Sequence, residues 1–363
     1  MINRLYVNNF RCLVAFEAHF QEFGLLCGPN GAGKSSVFNA LRVLCEVASG
    51  DMTVEQTIGY DDQTDWIDSD LVEFELDLTS GGHAFKYLLH IQQMSESVKP
   101  RIVKEQATCN GKLLFQRDLD GVTFDTGKGF PLDWRRAALG SIVATGSRQE
   151  IEILQREVSK ILILRPNPLV MGSESNAEHS QPDLYLSNLV SWYRYLAQEQ
   201  EWSDHLRESL KSVWPDFRSF RLQNTGLQSK MLQLRFEANG GKNGSSELRL
   251  DQLSDGEKML VGLYMILSAL ATGGIQTLLI DEPDNFVGLP ELQPWVMSLM
   301  ELLGEGTQAI LISHHPEILN PIGEHYGSYL WRANHSSPTR QSLLKAVEGL
   351  TLSETIARGW VNA

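Results

Sequence analysis

The chain has 363 residues, long enough for two domains, and its 42% hydrophobic and 21% charged content is that of an ordinary globular protein. Thirty-one basic against forty-five acidic side chains leave a net charge of −14, which excludes a protein that coats nucleic acid through an all-round positive surface and leaves room only for a local basic groove. Cys12, Cys27, Cys45 and Cys109 have neither paired nor metal-type spacing, so a disulfide framework and a zinc site are excluded and a reducing, cytoplasmic setting is expected.

The first residues, Met1 to Tyr6, carry polar side chains where an export signal needs an apolar run. Leu5, Val7, Leu13, Phe16 and Phe20 alternate as strands do, and the apolar run Phe23 to Cys27 ends in a glycine-rich turn. Val37, Ala40, Leu41, Leu44 and Ala48 then recur at helical spacing. Strand pairs are predicted over 71–92, turning at Gly81-Gly82, and over 101–125, turning at Asn110-Gly111. From about 140 to 215 the spacing is helical, with a loop at 166–180. Leu232, Leu234 and Phe236 restore strand alternation before a flexible turn at 240–246. Met259 to Ile280 is 22 residues without a charge, but Gly273-Gly274 breaks it into a helix and a short strand, so it reads as buried core and not as a membrane span. The last hundred residues alternate helix and apolar strand, the βα pattern of a parallel sheet.

Charge is uneven. Residues 51–75 hold nine acids and no base, which reads as a solvated loop, and residues 207–249 carry a local +4. Arg218, Arg221, Lys230 and Arg235, with Trp134-Arg135-Arg136, are the candidates for a nucleic-acid contact.

Four stretches carry chemistry. Gly28-Pro29-Asn30-Gly31-Ala32-Gly33-Lys34-Ser35, followed by Ser36, matches G-x-x-x-x-G-K-[ST] between an apolar strand and a helix. Glycines let backbone N–H groups turn inward around a triphosphate; Lys34 is placed to reach the β- and γ-phosphates and Ser35 to ligate Mg²⁺. Thr277 to Pro283 is an apolar strand that delivers Asp281 and Glu282 at its carboxyl end, Asp281 suited to the Mg²⁺ shell and Glu282 to polarising a water for attack on the γ-phosphate. Leu253-Ser254-Asp255-Gly256-Glu257-Lys258 opens the charge-free helix. Ser254 and Glu257 form a capping box there, and the glycine leaves N–H groups that suit an anion presented by another chain. A further apolar strand, Ala309 to Ser313, ends in His314-His315-Pro316, which puts His314 at the same kind of edge.

With the N-terminal Asn9-Phe10-Arg11, these elements in this order resemble the ABC-type ATPase superfamily, closest to its RecF/SMC/Rad50/OLD-like branch and to the AAA-family ATPases of bacterial anti-phage defence. The resemblance covers roughly 1–45 and 250–320. It implies an α/β fold: an ABC-ATPase head with a mixed or parallel central sheet, an antiparallel β subdomain and a helical lobe, with no long coiled coil. By the same resemblance, residues 1–95 are the N-terminal part of a nucleotide-binding lobe, 96–227 a middle β and helical lobe, and 228–363 the C-terminal part of the nucleotide lobe. Asn9, Phe10 and Arg11 are implied near base and phosphates, Glu282 as catalytic glutamate, His314 as switch histidine, and Ser254 and Gly256 as contacts to the γ-phosphate held by an opposite subunit. ATP and Mg²⁺ are the implied cofactors.

Two features depart from the family. The usual Leu-His-Pro after the acidic pair is replaced by Asp284 to Pro290, and the Mg²⁺-sensing glutamine has only Gln92 and Gln93 as candidates. No nuclease motif follows Pro316. The functional expectation is therefore a Mg²⁺-dependent ATPase whose ATP-driven head-to-tail homodimer controls a separately encoded effector, a nuclease or toxin, away from any membrane. A RecF-like DNA-repair ATPase and a nucleotide-gated scaffold with negligible hydrolysis are the alternatives.

Overall fold

The computed structural model describes residues 1–361 apart from 94, 96, 128, 144, 145, 147, 238–244 and 305. The chain divides into two compact units, 1–162 with 322–363 and 163–321, a division drawn differently from the three segments that the motifs suggest.

In the first unit β1 (Ile2–Asn8) pairs with β2 (Phe16–His19), and β3 (Phe23–Cys27) runs into the glycine turn that opens α1 (Lys34–Ser49). A one-turn helix, α2 (Val54–Thr57), lies in the acidic stretch. Strands β4 (Leu71–Ser80), β5 (His83–Gln92), β6 (Arg101–Cys109), β7 (Lys112–Arg117), β8 (Val122–Phe124) and β9 (Gly129–Phe130) then complete an antiparallel sheet in the order β2-β1-β4-β5-β6-β7-β8-β9. The two expected turns form where Gly81-Gly82 and Asn110-Gly111 place both central residues at positive φ, the geometry that matches the twist of antiparallel strands. α3 (Ala138–Ser141) and α4 (Gln149–Ser159) follow, and β10 (Ile161–Leu164) carries the chain into the second unit.

The acidic stretch is less solvated than its composition suggests. Asp62 pairs with Arg11 (2.8 Å), Glu55 with Lys99 (2.9 Å), and Glu75 with Arg4 (2.8 Å) and Lys86 (3.0 Å).

The second unit has a small sheet in which β12 (Phe217–Asn224) and β13 (Lys230–Glu237) pair, with β11 (Glu174–Ser175) and β14 (Ser245–Arg249) also on β13, and two helices, α5 (Leu189–Leu196) and α6 (Gln200–Val213). The expected turn at 240–246 lies mostly outside the described residues. The charge-free stretch becomes α7 (Asp255–Ala271) and β15 (Thr277–Asp281), broken at Gly273, where φ is +74°. α7 is apolar all round because it is buried all round: every residue from Met259 to Leu270 is buried. Trp202 of α6 donates to Met265 O (3.4 Å). Trp295, from α8 (Leu289–Glu301), donates to Leu263 O (3.0 Å). β16 (Gln308–Ile312) pairs in parallel with β15, and α9 (Pro316–Tyr326) returns the chain to the first unit. There β17 (Gly327–Trp331) runs parallel to β3 and antiparallel to β18 (Arg340–Leu343), ahead of α10 (Leu352–Ala357). The fold is α/β with mixed sheets. Among the described residues no helix is long and apolar enough to cross a membrane.

Glu105, on β6, is fully buried, and burial pushes its carboxyl above the ordinary carboxylate range against the pull of its donors. It accepts from Tyr87 Oη (2.9 Å), Ala138 N (2.6 Å) and Leu139 N (2.9 Å), so it caps α3 from across the sheet, near the buried Arg117. Glu105→Ala leaves two amides and a phenol without their common acceptor and removes the carboxyl near the Arg117 guanidinium, and is expected to cost about 3–5 kcal/mol, read as a lower urea midpoint.

Candidate functional site

The strand β3 is buried at all five positions and ends at Gly28. Gly28, Gly31 and Gly33 adopt φ of +141°, +77° and +101°, backbone that other residues rarely reach, which curls the loop back before α1 begins. Gly33 is the N-cap. No side chain caps this helix, and its first turn holds no acid. The amides that open α1 therefore have no side-chain acceptor from the cap, and no acid in the first turn offsets the positive end of the helix dipole. A Cβ on Gly31 would meet nothing within 4 Å, so the tip of the loop is open. Lys34 is buried and donates to Gly28 O (2.7 Å) and Pro29 O (3.1 Å), which lays its ammonium along the inside of the loop. Burial pushes the Cys27 thiol up to about 12, against the pull of that ammonium, so this cysteine is a packing residue and not a nucleophile. Uncapped amides, an ammonium and the Ser35 hydroxyl are the donor set that a Mg²⁺-bound triphosphate needs.

The expected flanking residues are placed differently. Asn9 is fully buried at φ +59°; its side chain donates to Ser69 O (2.8 Å) and Leu71 O (3.0 Å) and accepts from Thr64 N (3.2 Å). Phe10 is also fully buried, edge-on to Phe74. Their side chains hold the 64–71 segment to the sheet. Arg11 alone of the three is half-exposed, paired with Asp62. Of the two candidates for the Mg²⁺-sensing glutamine, Gln92 bridges Asp70 and Arg101, whereas the buried Gln93 donates through Nε2 to Ser95 O and Val98 O and its Oε1 accepts no hydrogen bond.

In the second unit β15 delivers Asp281 opposite Ile312 of β16. Asp281 is buried, with the Arg165 guanidinium 3.8 Å away. Glu282 stands at φ +53°; its N–H extends the ladder by donating to Ile312 O (2.9 Å), and its carboxylate accepts from Asn285 Nδ2 (2.8 Å). The register thus sends the two adjacent carboxylates in different directions, Asp281 inward and Glu282 out toward the following loop. At the end of β16, Ser313 is buried and its hydroxyl accepts from His315 N (3.0 Å), while the His314 side chain is exposed.

The capping box forms as expected. Ser254 Oγ accepts from Glu257 N (3.3 Å), and Ser254 donates to Glu257 Oε2 from both its backbone N and its hydroxyl (2.8 Å each). A Cβ on Gly256 would lie 2.7 Å from Phe286 O, so only glycine lets the loop after the acidic pair come this close to the start of α7.

Among the described residues no group of three His, Cys, Asp or Glu side chains could hold a metal by itself.

The basic residues considered for nucleic acid are largely paired. Arg221 and Arg235 share Glu247 (2.9 and 2.7 Å), Arg218 faces Glu237 (3.9 Å), and Arg135 is bound to Asp133 (2.6 Å) and stacked on Trp134.

Four residues at these sites carry no local sequence signal: Arg165, Trp66, Arg332 and Thr339. Arg332 Nη1 donates to Gly31 O (3.1 Å) and Thr339 Oγ1 to Ala32 O (2.9 Å), partners about 300 positions away along the chain.

A Cβ on Gly28 would lie 2.0 Å from Leu330 O on β17, and φ there is +141°. Gly28→Ala is therefore expected to displace the loop from β17 and weaken ATP binding by at least about 100-fold in calorimetric titration.

Two family models match the chain: "AAA ATPase domain" over residues 1–87, and "AAA domain, putative AbiEii toxin, Type IV TA system" over 151–320. No curated protein matches it at a significant level. Among solved structures it is similar to an SMC head bound to the C-terminal winged-helix domain of ScpA (TM-score 0.57, 15% identity, covering 95% of this chain and 98% of that one). It is also similar to an Smc head with an extended coiled coil bound to the C-terminal domain of ScpA, derived from Pyrococcus furiosus (0.56, 11%, 94% and 96%). The SMC head domain from Thermotoga maritima aligns over 95% of this chain and 99% of its own length (0.50, 12%). At these identities the likeness is one of fold. It is the SMC-head fold that carries the phosphate loop and the acidic strand end here, and each of the two AAA models covers less than half of the chain.

Proposed function

We propose that the protein is a Mg²⁺-dependent ATPase whose ATP-bound form is a head-to-tail homodimer, and that this nucleotide cycle controls a separately encoded effector. The observation that carries the reading is the start of α1, where uncapped amides, three left-handed glycines and the inward Lys34 make a seat for a triphosphate. In this reading Lys34 neutralises charge on the β- and γ-phosphates. Ser35 and Asp281 would hold Mg²⁺, whose contribution is to bridge and neutralise phosphate oxygens. Glu282 polarises the attacking water, and His314 follows the state of the γ-phosphate from its exposed strand end. Ser254 and the Gly256 amide would meet the γ-phosphate of the opposite copy.

The capped start of α7 gives this last role a particular chemistry. The Ser254 hydroxyl already donates to Glu257, so meeting a phosphate exchanges one acceptor for another, and Ser254 and Glu257 must part at that moment. ATP then shifts a population between two arrangements, and the shift is only as large as the difference in its affinity for them.

The partner reading draws support from solved SMC heads that are bound to domains of ScpA, and the choice of an anti-phage nuclease or toxin as that partner rests on the sequence resemblance alone.

Glu282→Gln is expected to keep ATP binding, lower turnover by at least about 100-fold and sediment as a dimer with ATP and Mg²⁺. Adding Ser254→Arg should return it to monomer. Wild-type turnover in the single variant would remove Glu282 from the base role. For the effector, co-expression with the product of the adjacent gene should yield a complex whose recovery depends on nucleotide; a homodimer that takes no partner in any nucleotide state would count against it.

A further inference from the structure

The segment from the end of β17 to the start of β18 is moulded to the phosphate loop over residues 28–33. Leu330 O fills the space where Gly28 has no Cβ, and Thr339 Oγ1 fills the space beside Gly33, 2.3 Å from where a Cβ would stand. Between these points two donors hold successive carbonyls, Arg332 on Gly31 O (3.1 Å) and Thr339 on Ala32 O (2.9 Å). Thr339 N in turn donates to Cys12 O (2.9 Å).

Arg332 is itself held on every side. Its Nε donates to Ser337 O (2.8 Å), its Nη2 to His335 O, and its guanidinium sits 5.4 Å from the centre of the Trp66 ring. Three donors of one rigid fork thus meet three carbonyls, an arrangement that lysine cannot reproduce.

The consequence follows from the planarity of the peptide unit. In a trans peptide the C=O and the next N–H point in opposite directions. Holding Gly31 O outward turns the Ala32 N–H back into the loop, where it donates to Pro29 O (3.2 Å). Holding Ala32 O outward sends the Gly33 N–H away from Thr339, to the side where phosphate oxygens would lie.

We infer that Arg332, seated on Trp66, is a positioning residue of the nucleotide site: it sets the peptide orientation of the phosphate loop and makes the β17–β18 connection part of the ATP-binding machinery. This rests on the nucleotide reading above. Its action is on the loop and hence on phosphates of any nucleotide, not on the base.

The test compares Arg332→Ala and Arg332→Lys with the wild type in steady-state ATP turnover and in titration with ATP and with inorganic tripolyphosphate. Arg332→Ala should raise KM about 10-fold, keep kcat within about twofold, and weaken ATP and tripolyphosphate by the same factor. Arg332→Lys, which keeps the charge but not the fork, should still raise KM about threefold, and it carries the test if the alanine variant does not fold.

A lowered kcat at unchanged KM would mean that Arg332 only keeps molecules folded, and would overturn the inference. A loss confined to ATP and absent with tripolyphosphate would make Arg332 a base contact and overturn it as well. Full recovery in the lysine variant would do the same by assigning the effect to charge alone. Lys34→Ala serves as the control: if it bound ATP like the wild type, the nucleotide reading itself would fail, and this inference with it.

Discussion

An α-helix cannot satisfy its own first amides, and this chain handles that constraint in two opposite ways. At α7 the gap is closed from within, by Ser254, by Glu257 and by the negative charge of the first turn. At α1 the cap is a glycine, no side chain caps the helix and its first turn holds no acid. The difference is a matter of a few side chains, yet it decides which helix start attracts an anion unaided. The rest of the first unit can be understood as support for that choice: β3 fixes where the loop starts, β17 and the residues after it fix its back, and Lys34 fixes its inner face.

The second unit solves a different problem, that of placing two neighbouring carboxylates in distinct surroundings. A strand alternates its side chains, so Asp281 goes inward as β15 ends. Glu282 is then turned out by a left-handed backbone, whose strain is of order 1 kcal/mol and is offset by the N–H that it gives to Ile312 O. The buried strands and α7, apolar on every side, supply the rigidity on which that local strain depends.

Much of this was legible in the sequence because it is local. Periodicity located α1 and the β4–β5 and β6–β7 hairpins, and Ser254 with Glu257 three positions on marked the start of α7. The glycine pair at 273–274 correctly separated helix from strand in a stretch long enough to pass for a membrane span. What the sequence hid was long-range. Asn9 and Phe10 stand in a motif-like position, but their partners, Ser69, Leu71 and Phe74, are sixty residues away and claim them for packing. Gln92, plausible by type, is taken up by Asp70 and Arg101. Basic side chains on β12 and β13 suggested a nucleic-acid face until Glu237 and Glu247 were found beside them. Arg332 and Thr339, conversely, lie in an unremarkable turn and meet the phosphate loop only because β17 runs alongside β3.

The contact between Gly256 and Phe286 O has a mechanical meaning. With no room for even a methyl group between them, the backbone that follows the acidic pair and the first turn of α7 behave as two teeth of one gear: neither can advance without pushing the other. Phe286 is itself at φ +72° and half-exposed, so the tooth is also part of the outer surface of its unit. A shift of the backbone after Glu282 is therefore passed to the serine turn inside a single polypeptide, before any second molecule is considered.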